Sequence, residues 1–178
     1  NIQRAIDRVK DKNAATLEEI VYEGYAPGGV ALIIETATDN KNRTFPEVRH
    51  ALTKNGGTVA DSGSVMFQFD RKGVITVKAT GDDALLAILD AGATDANEED
   101  EVIEAVTDAK DLMKVKKAIE EQGLTVEEAE LRYVAKNDVP VTDKETADKI
   151  IRIMDALDDL DDVLNVHSNA DFQVDLGE

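Results

Sequence analysis

Two runs rich in β-branched and aromatic residues, 17–25 and 30–38, stand on either side of Ala26-Pro27-Gly28-Gly29, and this arrangement limits the chain more than any other feature of its sequence. Proline presets φ and glycine accepts positive φ, so the four residues turn the chain and the runs pair as a β-hairpin. Soon afterwards Thr44-Phe45-Pro46-Glu47 reads as a helix start, with Thr44 as N-cap, Glu47 closing a capping box and Pro46 tolerated in the first turn. Phe45, Val48, Ala51 and Leu52 form its apolar stripe, and Asn55-Gly56-Gly57 can end it in a left-handed conformation. Ahead of the hairpin, Ile2, Ile6 and Val9 predict a short helix, followed by a polar connection over 10–16.

Further on, Val65, Phe67 and Phe69 alternate with Met66 and Gln68 as a strand with an aromatic face; a turn is expected over 70–73 and a second strand over 74–78. Helix 82–91, strand 102–107, helix 111–122 and strand 127–136 follow, the helices ending near Gly92 and Gly123. Taken as one β-α-β-β-α-β unit, this order fits a ferredoxin-like domain of about 70 residues. After Pro140 a helix capped at Thr142 carries Ala147, Ile150, Ile151, Met154 and Leu157 as its stripe, and a strand follows over 163–166. That tail needs a sheet to cover, and the hairpin and helix of 17–56 offer an open face. The expected fold is α/β of the α+β kind in two domains: residues 1–69 plus 140–178 form a discontinuous α/β domain, and an acidic ferredoxin-like domain, 70–139, is inserted in it.

The 178 residues hold 38 Asp plus Glu against 20 Lys plus Arg, a formal charge of −18, which argues against the whole surface binding nucleic acid. The charge is uneven: residues 1–63 sum to −1, 64–139 to −9 and 140–178 to −8. A polyanionic partner is therefore expected at the first third, while the inserted acidic domain provides solubility or meets a basic protein. With no Cys, disulfides, thiolate metal sites and cysteine nucleophiles are excluded. No apolar run approaches the roughly 20 residues of a membrane span, and no signal-peptide core opens the chain, so no membrane partner is expected and the expected location is cytoplasmic, or the mitochondrial matrix in a eukaryote. Because the chain opens on Asn1 with helical neighbours, a longer protein with a preceding segment is expected.

Little enzymatic chemistry is on offer. The glycines at 28–29 lie between strands, whereas a phosphate-cradling loop opens a helix. Gly56-Gly57 and Ser62-Gly63-Ser64 could form anion nests, but a helix C-cap and a strand entry account for them. His50 and His167 have no metal-ligand spacing, and the acidic run Asp155, Asp158, Asp159, Asp161 and Asp162 lacks the glycine of a calcium loop and reads as a solvated face. The acids from Asp95 to Glu101 read as a polar turn. The aromatic stripe at 65–69 could stack bases but reads as core. The strongest local signal is basic: at 100° per residue His50 and Lys54 lie opposite the apolar stripe of the helix from Thr44, Arg49 flanks them, and Lys41 and Arg43 arrive just upstream. Lys41, Arg43, Arg49, His50 and Lys54 are five donors suited to sugar-phosphate contacts, and a merely solvated helix face would look the same.

Several linked motifs are similar to the YebC/PmpR family, which includes the mitochondrial translational activator of cytochrome oxidase. They are Tyr22-Glu23-Gly24-Tyr25-Ala26-Pro27-Gly28-Gly29-Val30-Ala31, Thr38-Asp39-Asn40-Lys41-Asn42-Arg43-Thr44, Glu47-Val48-Arg49-His50-Ala51, Lys54-Asn55-Gly56-Gly57, Gly63-Ser64-Val65 and the ending from Asp155 through Asn169-Ala170-Asp171. The resemblance implies three domains: a basic helical N-terminal one, absent from this stretch, a central α/β one, and an acidic ferredoxin-like one interposed in it. It implies either ribosome-associated translation factors, including relief of stalling at proline-rich stretches, or DNA-binding transcriptional regulators, with no assigned catalytic residues. The expectation is a non-enzymatic regulator of gene expression that needs no cofactor and contacts ribosomal or other RNA, with promoter DNA as the alternative target.

Overall fold

The computed structural model describes residues 17–174, so the helix expected near the start and the polar link after it lie outside the described residues, save that Leu17 precedes the first strand. In chain order the elements are β1 (Glu18–Ala26), β2 (Val30–Thr38), α1 (Lys41–Thr53), β3 (Thr58–Ala60), β4 (Phe69–Lys78), α2 (Asp82–Asp90), β5 (Asp95–Glu99), β6 (Val102–Asp108), α3 (Leu112–Glu121), β7 (Thr125–Ala135), β8 (Val139–Val141), α4 (Lys144–Asp158), β9 (Val163–Ser168) and β10 (Ala170–Phe172). They pack as two compact units, the described residues up to Phe69 together with those from Ala135 onward, and Asp70–Val134. The fold is α+β with several sheets, as the residue patterns imply.

The first unit is built on an antiparallel sheet of order β3-β1-β2-β9. The hairpin pairs Glu18 with Thr38 through to Ala26 with Val30, and its turn uses the expected glycines, Gly28 at φ 84° and Gly29 at φ 77°. Strand β2 sits between two partners, and every side chain from Val30 to Ile34 is buried. Leu32 and Ile34 pack with Val48, Ala51 and Leu52 of α1 and with Ala147, Ile150, Ile153 and Leu157 of α4 in one core. The tail helix thus covers the sheet that contains the hairpin, and the tail strand β9 joins that sheet at its edge beside β2. A short parallel pair, β8 with β10, completes this unit.

Both helices start where side chains satisfy free backbone amides, and neither start is the expected one. The carboxamide oxygen of Asn40 accepts from the Asn42 N–H at 3.1 Å, so α1 begins a turn before Thr44. Thr44 is then inside the helix and buried, its hydroxyl drawn to Thr38 and Asp162. Pro46 falls in the helix interior, where it has no N–H to give the preceding turn. Buried Val48, Ala51 and Leu52 hold the helix together across that missing bond. Its end is as expected: Gly56 takes φ 89° and the Gly57 N–H returns to the Leu52 carbonyl at 2.8 Å. In α4 the cap is Asp143, accepting from the Thr146 N–H at 2.9 Å, and Ile153 rather than Ile151 or Met154 is fully buried.

The second unit runs β4-α2-β5-β6-α3-β7 with sheet order β5-β6-β4-β7, the ferredoxin-like arrangement. Ile75, Val77, Ile88, Ile103, Ala105, Val115 and Ile119 form its core. Three expectations fail in this unit or just before it. Residues 66–68 form a single helical turn rather than a strand, leaving Phe67 exposed while Val65 and Phe69 are buried, and β4 runs straight through 70–73. Gly73 is not a turn residue: it pairs with Thr107, and a Cβ there would lie 2.9 Å from Leu112 Cδ1 and closer still to the Thr107 hydroxyl. The acids read as a polar turn include β5, an edge strand paired with β6 from Asp95–Val106 to Glu99–Val102. Its side chains are mostly exposed, so the polarity that hides the strand in the sequence is what an edge requires.

Gly57 is the tightest link between α1 and β3, since a Cβ there would meet the carbonyl oxygens of Tyr25 at 2.8 Å and Leu52 at 3.0 Å. Gly57→Ala is expected to destabilise the first unit by about 1–3 kcal/mol, seen as a lower denaturant midpoint; an unchanged midpoint would show that the backbone there yields freely.

Candidate nucleic-acid interface

Helix α1 and its C-cap carry all five basic residues picked out in the sequence, from Lys41 at its first position to Lys54 at its cap, a span of about 20 Å at the helical rise. Thr44, Val48, Ala51 and Leu52 face inward and are buried. Phe45, Arg49 and Thr53 make one outer row at i, i+4 and i+8, and Pro46, His50 and Lys54 the next. Phe45, placed in the apolar stripe by its spacing, is 40% exposed and is a correction to it; the ring lies at the edge of the buried face, 5.9 Å from that of Tyr22 and tilted 43° to it.

The structure separates Arg43 from the other four. Its Nη2 donates to Asp162 Oδ2 at 3.0 Å and Oδ1 at 3.1 Å and to Asp39 Oδ1 at 2.9 Å, and its Nε reaches Asp162 Oδ2 at 3.3 Å. The Asp162 carboxylate is 1% exposed and also accepts from the Thr44 hydroxyl at 2.6 Å, with the Thr38 hydroxyl 3.3 Å away. Thr38 in turn accepts the Asn40 N–H at 2.9 Å, and the Ala37 N–H donates to the Asp162 carbonyl at 2.9 Å. One residue at the mouth of β9 thus gathers the end of β2 and the first turn of α1. Hydrogen bonds to Asp162, then to Asp39, raise the guanidinium further above its already high pKa. Arg43 is therefore a structural cation neutralised by carboxylates. Lys41, Arg49, His50 and Lys54 are exposed, and among the described residues none of them forms an ion pair.

The surroundings divide in the same way. A concavity lined by Asp39, Arg43, Glu47, Asp161 and Asp162 is acidic and unsuited to an anion, whereas a second is lined by Phe45, Pro46, Arg49, His50 and Thr53. His167 pairs with Glu35 at 2.7 Å across β9 and β2. No group of three or more metal-ligating side chains occurs among the described residues. No helix among them is long and apolar enough to cross a membrane.

The loop around Gly63 does form an anion nest, and the anion is internal. Glu23, 3% exposed on β1, accepts from the backbone N–H groups of Gly63 at 2.6 Å, Val65 at 2.9 Å and Met66 at 2.7 Å. Burial by itself would raise the carboxyl pKa, but the three donors outweigh it and hold the group below its ordinary value. Neither Glu23 nor Asp162 is distinguishable in the sequence: the first sits in a strand among exposed acids, the second ends an acidic run. Thr44, whose hydroxyl is buried in the first turn of α1, is the one cue that a buried acceptor is near.

Removing the central carboxylate leaves two hydroxyls and a guanidinium poorly satisfied, so Asp162→Ala is expected to cost about 2–4 kcal/mol in denaturant unfolding. A loss under about 0.5 kcal/mol, the usual size of a surface change, would reject the anchoring role. Glu23 supplies a signed pH effect. With a native pKa below the ordinary value of about 4.3, its stabilisation is complete above that value and is lost as pH falls through the native one. Glu23→Gln is thus expected to destabilise more at pH 7 than at pH 3, and an equal loss at both would contradict the assignment.

Comparison with known proteins finds relatives of this chain both by sequence and by fold. A family model described as the TACO1/YebC second and third domain matches residues 17–170. A protein of Thermobifida fusca named "Probable transcriptional regulatory protein" is 49% identical over 176 residues, covering 96% of this chain and 70% of its own length. One of the same name from Syntrophomonas wolfei is 45% identical over 175 residues, covering 95% of this chain and 70% of its own. The crystal structure of a conserved hypothetical protein, Aq1575 from Aquifex aeolicus, superposes with a TM-score of 0.86 at 40% identity, covering 92% of this chain and 68% of that one. By sequence and by fold alike, the chain belongs to the TACO1/YebC family.

Proposed function

We propose that this protein is a non-enzymatic regulator of gene expression that docks on ribosomal or other structured RNA, with Lys41, Arg49, His50 and Lys54 supplying contacts to the sugar-phosphate backbone. The observation that carries this reading is the exposed basic face of α1, unpaired among the described residues, in a chain whose formal charge is −18. Such a face attracts a polyanion locally while the rest of the surface repels it, which favours one docking geometry over diffuse adhesion. Arg43 takes an indirect part: held by Asp39 and Asp162, it fixes the direction in which α1 presents its neighbours. The acidic unit of Asp70–Val134 limits nonspecific adhesion and suits a basic protein partner.

The names of the relatives support a second reading, a transcriptional regulator, for which promoter DNA would be the target. That reading needs side chains aimed at base edges in a groove, whereas the donors on α1 suit phosphates, which carry no sequence information directly. Competition between promoter duplex, nonspecific duplex and structured RNA separates the two, and sequence-selective duplex binding would favour DNA.

In the complete natural protein, Arg49→Glu with Lys54→Glu is expected to lower ribosome co-pelleting and to flatten the dependence of log affinity on log salt by about 2. Unchanged pelleting across several salt concentrations would overturn the α1 assignment.

A further inference from the structure

Phe45 is out of keeping with its spacing. A phenylalanine beside Val48 and Leu52 could bury its ring, yet it remains 40% exposed, backed on one side by Tyr22. Its open side lines a concavity with Pro46, Arg49, His50 and Thr53, so a single apolar plate is set among a cation, an imidazole and a hydroxyl. We propose that this concavity is a stacking seat for one unpaired nucleobase of the bound RNA, with the base against the Phe45 ring and Arg49 and His50 holding the phosphates beside it. The inference rests on the RNA reading above and deepens it.

Three features favour this occupant. The flanking cations suit a polyanion, and among the described residues neither Arg49 nor His50 is spent on an internal carboxylate. The apolar element is one aromatic ring with Pro46 beside it rather than a stripe, too small for an amphipathic helix, which needs anchors at i, i+3, i+4 and i+7. A ring in such a seat reaches a base only when the base is out of its stack, so it selects unpaired nucleotides, and stacking on an aromatic side chain tolerates any base. Pro46 and Tyr22 hold the plate in position: the first stiffens the backbone beside it, and the second, on β1, supports the ring from behind.

The test uses the complete protein and a short single-stranded oligoribonucleotide carrying one fluorescent purine, with a fully paired duplex of the same composition as the second probe. Phe45→Leu is expected to weaken single-strand binding by about 5- to 100-fold, the range for one lost stack, to abolish quenching of the purine, and to leave the salt slope and duplex binding unchanged. Phe45→Trp should restore both affinity and quenching, which a merely misfolded helix could not do. If Phe45→Leu binds and quenches like the parent while Arg49→Glu loses binding, the stacking seat is overturned and the phosphate face stands. If apolar contact with a protein is the purpose of Phe45, the purine stays unquenched in every variant and the inference fails. If the parent binds neither probe nor ribosomes, the RNA reading itself falls and the seat with it.

Discussion

The buried carboxylate of Asp162 is the constraint on which the presentation of α1 depends. A lone carboxylate taken out of water is costly, and here the Arg43 guanidinium and the Thr44 and Thr38 hydroxyls offset the cost, while the Ala37 amide is bound by the main-chain carbonyl of the same residue. The donors come from the end of one strand and the first turn of a helix, and the acceptor from the entry to a strand far along the chain. Once they are joined, the start of α1 has one allowed position, and every exposed side chain on that helix inherits it. Cations in the first turn of a helix oppose its dipole, and no acid in that turn compensates. Asp39 and Asp162 supply the missing negative charge from outside the helix.

Much of the fold was legible because local chemistry and global packing agree there. Pro27, Gly28 and Gly29 mark the hairpin, Gly56 and Gly57 mark the end of α1, and helical spacing finds the inward residues of α4 with the exchange of Ile153 for Ile151 and Met154. Where the reading failed, tertiary context had overridden a local rule. Thr44 looks like a cap because its residue type favours caps, but Asn40 reaches a free amide first and Asp162 claims the hydroxyl. Gly73 looks like a turn residue, although its missing side chain makes room for Thr107 and Leu112. Strand β5 carries no apolar alternation because both its faces are largely wet.

The candidate surface was legible in outline and not in detail. Counting charges along the chain points to α1 but treats every cation as available. Only distances show that Arg43 is neutralised from within while, among the described residues, Lys41, Arg49, His50 and Lys54 have no ion-pair partner. The same holds for anion sites. Backbone donors around Gly63 resemble a place for a phosphate until Glu23 is seen to fill it. The two buried carboxylates, Glu23 and Asp162, each have their own donors.

Arg43 and Asp162 are 119 positions apart, and every strand partner of the ferredoxin-like sheet lies between them. A ribosome making this chain therefore releases the inserted unit with all its contacts in hand, while α1 waits for a residue not yet polymerised. Until Asp162 emerges, the nascent chain carries the basic helix without the clamp that orients it, so α1 takes its fixed position only after the inserted unit has been made.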